Sequence, residues 1–237
     1  MAVLIFFLFL HAKTKKVQNM KKLMTKEVIQ RVATELFRKF GFEKTSMDDI
    51  ASQAHKAKRS IYNHFSNKEE LFCSTVISEV NRIQQSLAAV VADDSQLVLP
   101  RLRQYLLQRM ELIAQAGTLQ VAIKDKLLSP GDYRFERLQQ TMAEFTEWEH
   151  TCFKKVWYAK PTQCSAEVIE QQAVAFADML QVTLNGLSHT FFVEDKYEQY
   201  KTSYEMLIEL IINSVFTQFV THPNDFDINN LSLSHQK

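Results

Sequence analysis

Glycine and proline are scarce, with 4 of each in 237 residues, where an ordinary soluble chain carries roughly 7% and 5%. So few chain breakers exclude turn-rich β-sandwiches, α/β enzymes built on glycine-rich phosphate loops, and disorder of the Pro/Gly/Ser type. Cysteine is equally sparse. Cys73, Cys152 and Cys164 stand singly, with no CxxC pair and no His at zinc-ligand spacing, which fits a reduced, cytoplasmic setting better than a disulfide framework. Catalytic signatures are lacking as well: there is no GxGxxG, P-loop, HExxH or GxSxG, and Asp48-Asp49 and Asp93-Asp94 lack the distal acid of a DDxxD helix. The seven His residues are scattered, none paired on one helix face, so no metal and no cofactor is expected. What remains is an all-α chain whose 46% hydrophobic content can bury a sizeable core.

Net charge is nearly absent too, at +1, but its distribution is uneven. Residues 1–72 hold 14 Lys/Arg against 7 Asp/Glu, and residues 73–237 hold 14 against 20, so +7 is balanced by −6. A basic first third is joined to an acidic remainder. The apolar run Ala2 to Leu10 is too short for a spanning helix, which needs about 20 residues. Lys13, Lys15 and Lys16 follow it, whereas a secretory signal carries its positive charge first. Residues 1–20 are therefore expected to be an extension outside the fold or a misassigned start, with Met20 or Met24 as the first residue; a peripheral membrane anchor is the alternative.

From Thr25 the spacing is helical. Val28, Val32, Leu36 and Phe40 recur every four residues beside Ile29, Ala33 and Phe37, predicting an amphipathic helix that stops at Gly41. Ser46 with Asp49 three residues on predicts a capping box opening a second helix that buries Met47, Ile50 and Ala51. After a turn at Ala54 to Ala57 comes Lys58-Arg59-Ser60-Ile61-Tyr62-Asn63-His64-Phe65, with Ile61 and Phe65 four apart. Ser66-Asn67-Lys68-Glu69 then predicts a second capping box and a helix burying Leu71, Phe72, Val76 and Val80. Two short helices joined by a tight turn in a basic unit make a helix-turn-helix candidate. Lys58, Ser60 and Tyr62 can donate to phosphates, and Arg59, Asn63 and His64 to base edges. The plain alternative is a solvated helix face with ordinary lysines.

The run Thr45-Ser46-Met47-Asp48-Asp49-Ile50-Ala51, then Lys58, then Ser60-Ile61-Tyr62-Asn63-His64-Phe65, then Lys68-Glu69-Glu70-Leu71 closely resembles the N-terminal domain of TetR/AcrR-type transcriptional regulators, over about residues 25–75. The resemblance implies that the helix from Lys58 is the recognition helix. It also implies that Thr45, Tyr62, His64 and Lys68 lie where phosphate contacts are usual, and that the remainder is a helical effector-binding and dimerisation domain. Ser46 and Lys56 complete the candidate DNA-binding set. Three positions depart from the pattern. His55 stands where the family has Gly in the turn, and Ala57 stands at the usual capping Ser. Arg59 replaces a frequent Gly and places a long bidentate donor at the start of the recognition helix.

Beyond Cys73 the sequence reads as long helices punctuated by the few Gly and Pro. Pro100 is expected in the first turn of a helix ended by Gly117. Thr118 to Leu128 forms a shorter piece, and Ser129-Pro130 a helix start. An aromatic helix with Phe135, Phe145, Trp148, Phe153 and Trp157 runs to Tyr158. Pro161 precedes a helix from Ser165, and a last helix spans about Tyr197 to Thr221. The domain division expected is 21–75 for DNA binding, 76–222 for effector binding and dimerisation, and 223–237 as a polar tail. The last two helices are more apolar than one buried stripe requires, so Leu184, Leu187, Phe191, Leu207, Ile211 and Val215 are expected at a homodimer interface. Met110, Met142, Phe145, Trp148, Cys152, Phe176, Met179 and Thr183 are the candidate lining of a hydrophobic effector pocket, although residues of these types are more often ordinary core than pocket. The reading is a ligand-responsive repressor that binds double-stranded DNA as a homodimer, with no membrane partner; repression rests on the resemblance alone. The alternatives are a cofactor-free helical enzyme and a thiol-based redox sensor.

Overall fold

The computed structural model describes residues 24–129, 131–159 and 164–220. The proposed N-terminal extension, Pro130, Pro161 and the polar tail lie outside them. All regular elements among the described residues are helical, and the chain divides into two compact units, 1–78 and 79–237, with the boundary inside one helix.

The first unit contains α1 (24–44), α2 (Met47–Gln53), α3 (Lys58–Tyr62) and the beginning of α4 (Lys68–Val91). Its core is aromatic. Phe37, Phe42 and Phe72 are fully enclosed, with Phe72 edge-on to both of the others at 5.0 Å between centroids. Of the broad stripe on α1, the column Ile29, Ala33 and Phe37 faces this core, while Phe40, expected within the stripe, is 47% exposed with Lys39 Nζ over its ring. Seven apolar residues span a wider arc than one neighbouring helix can cover; the column with Phe37 is buried along its length, whereas of the other column only Val32 is buried. Gly41 takes a left-handed φ of 80° as expected of a chain turn, although helical structure resumes to residue 44. Ser46 and Asp49 form the expected capping box in both directions. The second box is shifted by one residue: Asn67 Oδ1 accepts from the Glu70 N–H at 2.7 Å, and Glu70 Oε2 accepts from the Ser66 N–H at 2.7 Å. Asn67, as good a cap as Ser, takes the position expected of Ser66.

The second unit holds the rest of α4, α5 (Val98–Gln115), α6 (Gly117–Lys124), α7 (Glu136–Tyr158), α8 (Ala166–Ser188) and α9 (Tyr197–Val220). Pro100 sits in the first turn of α5, where its missing N–H costs nothing. Gly117 does not close α5; it opens α6, whose first N–H groups are taken by the carboxylate of Glu79 through Thr118 and Leu119. An acidic side chain at a helix N-terminus meets the positive end of the dipole. α7 does not start at Ser129. A 3-10 turn, Tyr133–Phe135, capped by Asp132, leads into the helix at Glu136, and Gln139 bonds the Ser129 carbonyl instead. α7 and α8 run antiparallel, since His150 meets Asp178 while Lys154 meets Glu170, and Trp157 stacks near Phe176 and donates to Gln172. α5 and α9 are likewise antiparallel through Arg103–Glu209 and the Tyr204 hydroxyl, which donates to the Leu106 carbonyl at 2.7 Å.

Candidate nucleic-acid interface and effector cavities

The turn between α2 and α3 is made without glycine. His55 holds φ at 51°, a left-handed conformation that His tolerates better than bulky or branched residues. Ala57 precedes α3 with extended backbone and gives no side-chain cap. Both features follow from the departures noted in the sequence. α3 ends at Tyr62, so Asn63 and His64 lie just past the helix and not within it. Ile61 is the anchor, completely buried, with Phe65 beside it in the core.

Around that anchor the candidate donors divide into three groups. Lys56, Arg59, Tyr62 and Asn63 are exposed and their side chains have no hydrogen-bond partner among the described residues. Lys58 and Ser46 are exposed but engaged. Lys58 Nζ lies 2.7 and 3.0 Å from the two oxygens of Asp48, whose hydrogen bond holds the ammonium pKa above its ordinary value. The Ser46 hydroxyl is shared with Asp49. Ser60 and His64 are half-buried. Two members of the set serve the fold. Thr45 is 2% exposed and gives its hydroxyl to the Gly41 carbonyl at 2.8 Å, so it is withdrawn from the surface where a phosphate contact was expected. Lys68 lies 4.3 Å over the Phe42 ring and donates to the Phe42 carbonyl at 2.9 Å, placing a cation on the C-terminal end of α1.

These donors belong to residues 45–68, and the match to known proteins falls on the same stretch: residues 29–74 fit the model of the bacterial regulatory proteins of the tetR family. This segment is a TetR-family helix-turn-helix domain. Over 47 residues the chain is 47% identical to an uncharacterized HTH-type transcriptional regulator of Bacillus subtilis, YhgD; the match takes in 20% of this chain and about a quarter of that relative. Similarity in fold extends further. A TetR-like transcriptional regulator from Rhodococcus sp. RHA1 superimposes with a TM-score of 0.56 at 18% identity, covering 81% of this chain and 96% of the other. The SmeT–triclosan complex does so with a TM-score of 0.60 at 19% identity, covering 81% and 91%. At these identities the likeness is one of fold.

Two of the cavities in the second unit take in residues of the candidate pocket set. One of about 500 Å³ is lined by Leu102, Tyr105, Trp148, Cys152 and Phe153 together with Arg101 and Lys155. The other, about 210 Å³, is lined mainly by aliphatic residues with Met142, Phe145 and Arg109. Four of the eight candidate pocket residues thus lie on cavity walls, divided between two cavities. Met110, Phe176 and Thr183 are in neither wall, and Met179 is 47% exposed on the outside of α8. Burial pushes the Cys152 thiol up to about 11, which keeps it protonated and unreactive at neutral pH. Sequence reasoning missed Arg109, Glu149, Tyr105 and Gln181, which meet at the centre of the unit. The signal was available in part: Tyr105 and Arg109 are four apart on one face of α5, as a buried charge with its polar neighbour would be.

No described helix is long and apolar enough to cross a membrane. The side chains expected at a dimer interface are partly internal: Leu184, Phe191 and Val215 are buried within the subunit, and Leu187, Leu207 and Ile211 are half-buried. Among the described residues, the exposed large apolar side chains of the same two helices are Val168, Met179 and Val182 on α8 and Tyr200, Met206, Leu210 and Phe216 on α9. Total apolar content does not separate the face of a helix turned to the core from the face turned outward.

Proposed function

We propose that this protein is a homodimeric transcriptional repressor, acting in the cytoplasm, that binds a pseudo-palindromic operator and is released by a small apolar or amphipathic ligand. The observation that carries the reading is the division of labour on α3. Ile61 is wholly buried while Arg59, Tyr62 and Asn63 stand exposed around it without internal partners. A five-residue helix anchored by one side chain presents its donors at the scale of a major groove. Arg59 is the candidate for guanine or phosphate contact, with Lys56 and Lys58 on the backbone. Met179, Val182, Met206, Leu210 and Phe216 support dimerisation, because large apolar side chains left exposed on two helices are what a partner chain would cover. Two copies are also what two half-sites roughly 34–36 Å apart require. The cavities, and the apolar compound in the SmeT–triclosan complex of similar fold, support control by a hydrophobic ligand that favours a state unable to hold DNA.

Genomic footprinting of the protein, followed by anisotropy titration on the enriched sequence, tests the reading. Enriched palindromic sites bound with a steep salt dependence are the expected result. Absence of both enriched sites and salt-dependent duplex binding would refute it.

A further inference from the structure

The centre of the second unit holds a polar cluster with one donor left over. Arg109 Nε donates to Glu149 Oε1 at 2.5 Å and Nη2 to Oε2 at 3.0 Å; the Tyr105 hydroxyl adds a bond to Oε1 at 2.7 Å. Both charged side chains are enclosed, at 5% and 0% exposure. Burial opposes the Arg109 charge, and the Glu149 carboxylate outweighs it, so the guanidinium pKa lies above its ordinary value. The third nitrogen, Nη1, is buried and has no hydrogen-bond partner. Native proteins leave very few buried polar groups unpaired, and each one calls for an explanation.

Arg109 stands in the wall of the 210 Å³ cavity, whose apolar lining includes Val80, Ile83, Ile113, Met142 and Phe145. We propose that this cavity binds a small ligand whose neutral oxygen accepts a hydrogen bond from Arg109 Nη1 while its apolar body packs on Met142 and Phe145. The inference rests on the reading of this unit as effector-binding and specifies the class of effector. Size limits the ligand, because drug-sized pockets begin at roughly 300 Å³; one ring or a short chain fits. Charge limits it further. Glu149 already balances Arg109, so a carboxylate would bring an uncompensated charge into a buried site, whereas a ketone, ester, amide or phenol oxygen would not. His189, also on the wall, has its own acidic neighbour in Glu194, 3.9 Å away. The larger cavity carries no such signal. Its Arg101 is satisfied by the carbonyls of Val91 and Asp93 and by Asp94.

Three probes of nearly the same shape test the assignment on the full-length protein: acetophenone, ethylbenzene and benzoate, each titrated by ligand-observed NMR. Acetophenone is expected to bind about tenfold to a hundredfold more tightly than ethylbenzene, the range for one hydrogen bond from a charged donor, and more tightly than benzoate. Equal binding of acetophenone and ethylbenzene would overturn the proposal, with the donor then satisfied inside the protein, for instance by Gln181 Oε1, the other unpartnered atom of the cluster. Tightest binding by benzoate, or binding by none of the three at millimolar concentration, would overturn it as well. The double variant Arg109→Met with Glu149→Gln removes the charges together and avoids stranding one of them. Given a retained cooperative melt, it should reduce the preference for acetophenone to less than threefold, and an unreduced preference would place the acceptor elsewhere. Operator affinity is measured separately with each probe. A probe that binds as stated without changing DNA affinity supports the pocket assignment and overturns the effector reading.

Discussion

In the first unit the buried polar side chains are Thr45 and Thr75, and both give their hydroxyls to nearby backbone carbonyls. In the second they are Arg109, Glu149, Gln172, Gln181 and Thr118, drawn from four helices. The basic unit keeps its charges outside an aromatic core. The acidic unit places a full ion pair at its centre, where removing two ions from water opposes folding and only good geometry offsets the cost. An interior built of phenylalanine specifies shape. An interior that holds a guanidinium next to a cavity specifies chemistry as well. Under the proposed function, recognition falls to the outside of one unit and to the inside of the other.

The comparison can be attacked most forcefully at Glu149. Replacing it by Ala strands Arg109 in the interior and is expected to lower stability by about 3–5 kcal/mol in urea unfolding, while operator affinity of the folded fraction is unchanged. A loss below about 1 kcal/mol would mean that the pair is not buried in solution. Leu210→Asp tests the outside of the second unit. It is expected to weaken dimerisation by about 2 kcal/mol or more, the scale of a hot-spot residue, seen as monomer by light scattering at micromolar concentration. Arg59→Ala tests the outside of the first unit and should cost about 1–3 kcal/mol of operator discrimination, read as the ratio of affinities for specific and scrambled duplexes. Ala57→Ser restores the missing cap of α3 and should raise stability by about 1 kcal/mol without altering that ratio. The smallest effect belongs to Asp49, whose carboxyl is held below its ordinary value of 3.8 by the hydrogen bonds of Ser46. Its contribution is therefore present above that value and lost as pH falls through the lower folded pKa; Asp49→Asn should remove this acid-limb dependence from the melting profile.

Much of the first unit was legible because its signals are local. A capping box, a turn of fixed length and an anchor pair four residues apart are all properties of a few consecutive residues, and the box at Ser46, the left-handed His55 and the uncapped Ala57 appear where the residues placed them. The internal partners of Thr45 and Lys68 were not legible for a non-local reason. They are backbone carbonyls at the end of α1, which lies next to Lys68 only in the fold. Gly117 shows how glycine misleads. Left-handed backbone occurs at Gly41 and Gly131 but also at His55, Lys126 and Asp195, while Gly117 opens a helix. The interior of the second unit was largely illegible, because Tyr105, Arg109, Glu149 and Gln181 come from three helices and a spacing in the chain joins only the first two.

The pairing of Lys58 with Asp48 bears on how DNA binding should respond to electrolyte. A lysine that meets a phosphate normally displaces a mobile cation from the duplex, and each such exchange steepens the fall of affinity with salt. Lys58 already carries a tethered anion, so transferring it to a phosphate exchanges one partner for another and leaves a bare carboxylate facing the backbone. Under the proposed function, Asp48 would act as an internal competitor that no dilution removes, tempering attachment to arbitrary duplex while leaving Arg59 to read sequence.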